Sequence, residues 1–219
     1  MAATNPFAHV PLFAGFPADQ LEAVAELAVT RSYTKGQLIF RQDDPADGLY
    51  VVESGRVKVF LAQEDGEEVI VDLLGPTEHF GEMALIDAEP RSTGAMAHQD
   101  CRLSFIGKKM FRRLLSDSNV LAQSLLQGLS ERLRSANSTI ASLATQDVTG
   151  RVMRVLLEYA EMDDGRSVVA GPLTQKDIAH MVGASREMVN RSLQDMARSG
   201  LIEREDDRIV LKGLPGALW

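Results

Sequence analysis

Hydrophobic positions change their period along this chain, and each change predicts a different kind of element. From about Leu38 to Ile106, short β-rich runs at 37–40, 49–52, 57–60, 68–73 and 101–106 alternate with turns at Lys35-Gly36, Asp47-Gly48, Ser54-Gly55, Asp65-Gly66 and Gly75-Pro76. Short strands spaced in this way predict an antiparallel roll or barrel. Near Met110 the spacing shifts to steps of three and four. Leu114, Leu121, Leu125, Leu129, Leu133, Ala136, Ile140 and Leu143 form a seam, with Arg112, Arg113, Glu131, Arg132 and Arg134 between them. One amphipathic helix of some 35 residues would span roughly 50 Å, longer than a compact domain needs from a single helix. Its heptad-like seam predicts a homodimer packed through Leu121, Leu125, Leu129, Leu133, Ala136 and Ile140, with the polar Asn137 and Ser138 near its far end.

The segment Asp147-Val148-Thr149-Gly150-Arg151 breaks that helix, with Gly150 as the expected breaker, and an amphipathic run restarts over 151–157. An acidic loop over 161–166 and Pro172-Leu173 follow. Thr174-Gln175-Lys176-Asp177 then sets an N-cap three residues before a carboxylate, opening a helix with Ile178, Ala179 and Val182 inward. Gly183 turns the chain, and Ser185 caps a second helix. Val189, Leu193 and Met196 face inward on that helix, and Arg186, Glu187, Asn190 and Arg191 face outward. This pair reads as a helix-turn-helix. Runs at 201–204 and 208–211, joined through Glu205-Asp206-Asp207, predict a β-hairpin wing. The expected fold class is α+β, a β-roll followed by a long helix and a winged helix-turn-helix. The expected domains are 1–109, 110–146 and 147–219.

Composition narrows the function classes. With 219 residues and 45% hydrophobic content the chain has enough apolar material for ordinary cores. It shows no 18-residue apolar run and no basic-then-apolar leader pattern, so the expected place is the cytoplasm, with no membrane partner. Cys101 is the only cysteine, which excludes an internal disulfide and a four-cysteine iron–sulfur cluster within one chain. His9, His79, His98 and His180 are scattered, which argues against a metal-binding barrel. The net charge of −8 is unevenly spread: residues 1–147 carry −7 and residues 148–219 only −1, so a local basic face is possible in the second part.

The most informative stretch is Phe80-Gly81-Glu82-Met83-Ala84-Leu85-Ile86-Asp87-Ala88-Glu89-Pro90-Arg91-Ser92-Thr93. Gly81 permits close backbone approach, and the turn after it opens a short helix. Glu82 can accept from a sugar hydroxyl. Arg91 offers a planar, permanently charged fork to a phosphate, with the hydroxyls of Ser92 and Thr93 beside it. These residues resemble the phosphate-binding cassette of the cAMP receptor protein and FNR family of bacterial transcription regulators. Ser185-Arg186-Glu187-Met188-Val189-Asn190-Arg191 resembles that family's recognition helix except at Met188 and Asn190.

The resemblance extends from roll to wing and implies a homodimeric regulator, not an enzyme, switched by a cyclic nucleotide. It implies cAMP as effector, held by Gly81, Glu82, Met83, Arg91, Ser92, Thr93 and Asn137, without metal, haem or iron–sulfur cofactor. Ala136-Asn137 stands where the best-known member has a threonine–serine pair, so Asn137 alone keeps a base-reading group. It further implies double-stranded DNA with a palindromic operator, contacted by Thr174, Gln175, Lys176, Ser185, Arg186, Glu187, Asn190 and Arg191, and RNA polymerase as partner. Arg186 and Arg191 suit guanine O6/N7, and Glu187 suits cytosine N4. Three alternatives stay open: cGMP or cyclic di-GMP as effector, an effector-independent DNA-binding protein, and an enzyme using Cys101 with His98.

Overall fold

The structure is a computed structural model that describes residues 5–64, 66–170, 173–205 and 208–212, and it divides into two compact units, Met1–Arg134 and Ser135–Trp219. Asp65, Pro172, Asp206 and Asp207, placed by the sequence in connecting segments, lie outside the described residues.

In the first unit the chain runs through α1 (Ala18–Leu27), β1 (Val29–Tyr33), β2 (Leu38–Phe40), β3 (Gly48–Ser54), β4 (Val57–Ala62) and β5 (Glu68–Leu74). It continues through β6 (His79–Phe80), α2 (Met83–Ile86), β7 (Gly94–Ala97), β8 (Cys101–Gly107) and α3 (Lys108–Asp117). Two antiparallel four-stranded sheets result, in the orders β1-β8-β3-β6 and β2-β7-β4-β5. Strand β3 explains the core. Successive side chains on a strand point to opposite faces. Tyr50 and Val52 join Val57, Leu74, Phe80 and Leu103 in one cluster, whereas Leu49 and Val51 join Phe7, Leu12, Phe13, Val24 and Phe111 in another. Both faces of β3 are therefore covered, and its sequence reads as a continuous apolar run.

The five strands expected from the sequence are present, and β1, β6 and β7 are additions. Thr30-Arg31-Ser32 carries no apolar alternation, and β7 is made of Gly94, Ala95, Met96 and Ala97. Their pairing with β8, β3, β2 and β4 makes them strands, because ladder hydrogen bonds come from neighbours and not from local propensity.

The single helix expected from Met110 is corrected to two. α3 ends at Asp117, Ser118 is extended at φ −132° and ψ 109°, and α4 (Asn119–Thr145) begins afresh. Ser118 Oγ accepts from Leu121 N at 3.3 Å, an N-cap that starts the new helix.

The second unit holds the end of α4, then α5 (Val148–Glu158), β9 (Glu161–Asp163), β10 (Arg166–Ala170), α6 (Gln175–Val182), α7 (Arg186–Arg198), β11 (Ile202–Glu205) and β12 (Arg208–Leu211). Its sheet order is β11-β12-β10-β9, and its core joins Val152, Val155, Leu156, Ile178, Val182, Val189, Leu193 and Met196. Two expectations are corrected here. Gly150 lies inside α5, whose N-cap is Asp147 with its carboxylate accepting from Gly150 N at 2.8 Å. The acidic stretch 161–166 is a hairpin, with Asp164 at φ 48° and Gly165 at φ 76°, the positive pair that two-residue hairpin turns demand.

Candidate functional site

Gly81, Glu82 and Arg91 are brought together in the first unit by the β6–α2–β7 segment. Gly81 has φ +86°, a conformation that glycine adopts without penalty, and a Cβ there would sit 2.4 Å from Arg91 Nη1. The missing side chain is the space through which Arg91 reaches the backbone. Its Nη1 donates to Gly81 O at 2.7 Å, and its Nη2 donates to Gly48 O and to Asp47 Oδ1, each at 2.8 Å. The guanidinium carbon lies 4.2 Å from the centre of the Phe40 ring, a cation–π position. Arg91 is 2% exposed, so this cationic group sits within the protein. Such burial is tolerated because carbonyls, a carboxylate and a ring face replace water.

Glu82 is equally buried, at 1%. Its Oε1 accepts from Arg132 Nη1, and Arg132 Nη2 also donates to His79 O at 2.6 Å. Burial pushes the Glu82 carboxyl above the ordinary carboxylate range, and the Arg132 charge partly opposes that shift. Two atoms of this cluster are buried without a hydrogen-bond partner among the described residues: Glu82 Oε2 and Arg91 Nε. Buried polar atoms are nearly always paired, because desolvating one without compensation costs about 1–3 kcal/mol. An orphan acceptor and an orphan cationic donor within one short segment form a constellation ready for a polar anionic ligand. Met83 and Ser92 are exposed and Thr93 is half-buried. Asn137 is exposed and belongs to the second unit.

The sequence reading missed Asp47, Gly48, Phe40 and Arg132 as companions of this site. Asp47-Gly48 read as a turn and Arg132 as a solvated charge on a leucine-spaced helix. Only the folded sheets bring positions 47 and 91 together, and no local spacing carries that information. Cys101 belongs to the β-core cluster, and burial, then Asp100, pushes its thiol up to about 11. A raised thiol pKa favours the protonated form at neutral pH, which fits a packing role.

In the second unit the helix pair has the expected geometry. Thr174 Oγ1 accepts from Asp177 N at 3.2 Å while the Asp177 carboxylate accepts from Thr174 N at 2.8 Å, a complete capping box on α6. Gly183 ends α6 in the left-handed conformation at φ 60°. Ser185 Oγ accepts from Met188 N at 3.2 Å and starts α7. Val189, Leu193 and Met196 are buried. Thr174, Lys176, Ser185, Arg186, Glu187 and Arg191 are exposed, whereas Gln175 and Asn190 are half-buried, with Gln175 Nε2 3.5 Å from Asn190 Oδ1.

Along α4 the structure separates residues that the sequence had grouped. Leu121 and Leu125 are 0% and 4% exposed and pack with Phe13, Ile106 and Phe111, so they are core residues of the first unit and are withdrawn from the expected dimer seam. Besides Val120 at 39%, the large apolar positions left open are Leu126 at 66%, Leu133 at 62%, Ile140 at 64% and Leu143 at 51%; with the half-buried Leu129 and the exposed Ala136 these last four form one stripe. Their spacing alternates three and four residues.

Comparison with known proteins agrees with both halves of this description. Residues 30–118 match the family model described as cyclic nucleotide-binding domain, and residues 150–216 match the Crp-like helix-turn-helix domain. The chain is 32% identical over 208 residues to a CRP-like cAMP-activated global transcriptional regulator of Mycobacterium tuberculosis, covering 93% of each protein. It is 33% identical over 195 residues to the cyclic AMP receptor protein of Thermus thermophilus, covering 88% of each. Among solved structures, the c-di-GMP responsive global regulator CLP of Xanthomonas campestris aligns with a TM-score of 0.74 at 27% identity, covering 90% of this chain and all of the other.

Proposed function

Because this chain belongs to the CRP/FNR family of transcription regulators, a family of cyclic-nucleotide-responsive DNA-binding proteins, we propose that it is a homodimeric regulator switched by cAMP. The observation that carries the ligand side is the pair of orphaned buried atoms, Arg91 Nε and Glu82 Oε2. A cyclic nucleotide supplies the complement of each: an anionic phosphate oxygen for the guanidinium N–H, and a ribose hydroxyl for the carboxylate oxygen. Ser92 and Thr93 add hydroxyl donors to the phosphate, and Gly81 and Met83 line the approach. The cAMP-activated relatives at about 30% identity support cAMP. The c-di-GMP responsive Xanthomonas neighbour supports cyclic di-GMP as the second reading.

In this reading residues 1–109 sense the effector, 110–146 pair two protomers and 147–219 bind DNA. The open α4 stripe of Leu126, Leu129, Leu133, Ala136, Ile140 and Leu143 is the coiled-coil seam, since an a/d repeat of this kind is the pattern two helices bury against each other. Dimerisation places two α7 helices against successive major grooves of a palindromic operator about 34 Å apart. RNA polymerase and a cytoplasmic setting belong to the same reading. Nucleotide acts by binding more tightly to the dimer state that engages DNA; equal affinity for both states would shift nothing.

The experiment is calorimetric titration of cAMP, cGMP and cyclic di-GMP into wild type and Arg91→Gln, with operator binding measured in parallel. Gln removes the charge and keeps a polar head, but its amide ends where Arg91 Nε stands and is too short to reach the carbonyls of Gly81 and Gly48, so the fold of the variant is checked alongside binding. The expected result is nucleotide binding by wild type, loss of at least tenfold in the variant with an unchanged circular dichroism spectrum, and DNA affinity that follows the nucleotide. Nucleotide-dependent DNA binding that persists unchanged in Arg91→Gln would overturn the assignment.

A further inference from the structure

Met188 stands apart on the outward face of α7. It is 47% exposed, whereas the apolar residues that seat the helix, Val189, Leu193 and Met196, are each at most 1% exposed. Successive helical residues are turned by ~100°, so Met188 lies off that seam and beside Glu187 and Arg191. Its backbone N–H is held by Ser185 Oγ at 3.2 Å, which pins it in the first turn. That is the end of a recognition helix that reaches base edges.

A single exposed methionine is ordinary on a protein surface. Its neighbours give this one meaning. Arg186, Glu187 and Arg191 are exposed, charged side chains, and between them they can address guanine acceptors and the cytosine amino group. The feature of the major groove they cannot read is the thymine C5-methyl group, which offers no donor or acceptor and is recognised by apolar contact. A long, unbranched, polarisable thioether is suited to cover a methyl group whose position varies by a fraction of an ångström.

We propose that Met188 is a specificity-determining residue that selects thymine at one position of each operator half-site by packing on its C5-methyl group; this rests on the reading of α7 as the DNA-recognition helix. The contact adds an apolar discrimination to a face that is otherwise polar. Met188 is not part of the core, so its truncation leaves the fold in place.

The test uses the full-length protein with cAMP. Operators are first selected from duplexes with a randomised palindromic site, and each thymine of the winning half-site is then replaced singly by deoxyuridine, which removes only the methyl group. Wild type is expected to lose about fourfold in affinity at one thymine per half-site, the worth of one buried methyl group. Met188→Ala is expected to bind the thymine and uracil operators equally, whereas Met188→Leu retains the preference. A uracil penalty of the same size in wild type and Met188→Ala would overturn the proposal. So would a wild-type protein that binds DNA in a nucleotide-dependent way yet ignores every uracil substitution, and that outcome would leave the regulator reading intact. Failure to enrich any sequence would overturn both.

Discussion

Arg91 directs its donors inward. Two carbonyls, Asp47 and the face of Phe40 hold it, so the guanidinium is placed before any ligand arrives. A preset fork loses little rotamer freedom on meeting an anion, and Nε, the guanidinium nitrogen without a partner, is the group with most to gain. The same local economy governs His79, which burial, reinforced by the charge of Arg132, holds down to about 3 from an ordinary 6.5. Its folded value is depressed, so between those values the unfolded chain binds the extra proton. Stability is therefore expected to fall as pH drops from about 6.5 toward 3, at up to about 1.4 kcal/mol per unit from this residue alone. Urea midpoints measured at pH 7 and pH 5 check this, because His79→Gln should show a smaller acid loss than wild type. Position 79 was visible in the sequence only as a scattered histidine. Its depressed value follows from the pairing of β6 with β3 and from the Arg132 guanidinium hydrogen-bonded to its backbone carbonyl, and neither can be read from residues next to it in the chain.

Elements divide according to whether their signal is local. The capping box at Thr174 and Asp177, the left-handed Gly183 and the Ser185 cap are each written within four residues, and each appears where the sequence placed it. Helix α4 is the contrasting case. Leu125 and Leu126 are adjacent and chemically identical, yet one is buried at 4% and the other open at 66%. Which leucine faces the protomer's own core depends on the phase of the helix, and that phase is set by the break at Ser118. The two residues should therefore fail differently. Leu125→Ala should cost about 2–5 kcal/mol of stability through cavity formation without changing the oligomeric state. Leu133→Glu should leave the fold intact and yield monomers, because two charges would face each other across the proposed seam. Analytical ultracentrifugation with parallel denaturation separates these outcomes, and a Leu133→Glu protein that remained dimeric would move the interface elsewhere.

At the scale of the molecule, a chain of net charge −8 is proposed to bind a polyanion, and the balance rests on where its cations stand. Arg186 and Arg191 are exposed on α7 while Glu187 lies between them, an arrangement that favours base reading over unspecific attraction. Arg186→Ala should weaken operator binding by about 1–3 kcal/mol and relax preference at one base pair, with little change in unspecific binding. Competition binding at two salt concentrations checks it: a uniform loss with a shallower salt slope would make Arg186 a phosphate contact instead. The sequence by itself determined the order of roll, helix and helix-turn-helix, the cassette containing Glu82 and Arg91, and the caps of α6 and α7, since periodicity, turn chemistry and short motifs act between residues close in the chain. The tertiary structure alone decided that Asp47 and Arg132 attend the cassette, that β1, β6 and β7 are strands, and that Leu121 and Leu125 belong to the core. Those outcomes depend on contacts between residues tens of positions apart, made only when the sheets close and the helices settle on them.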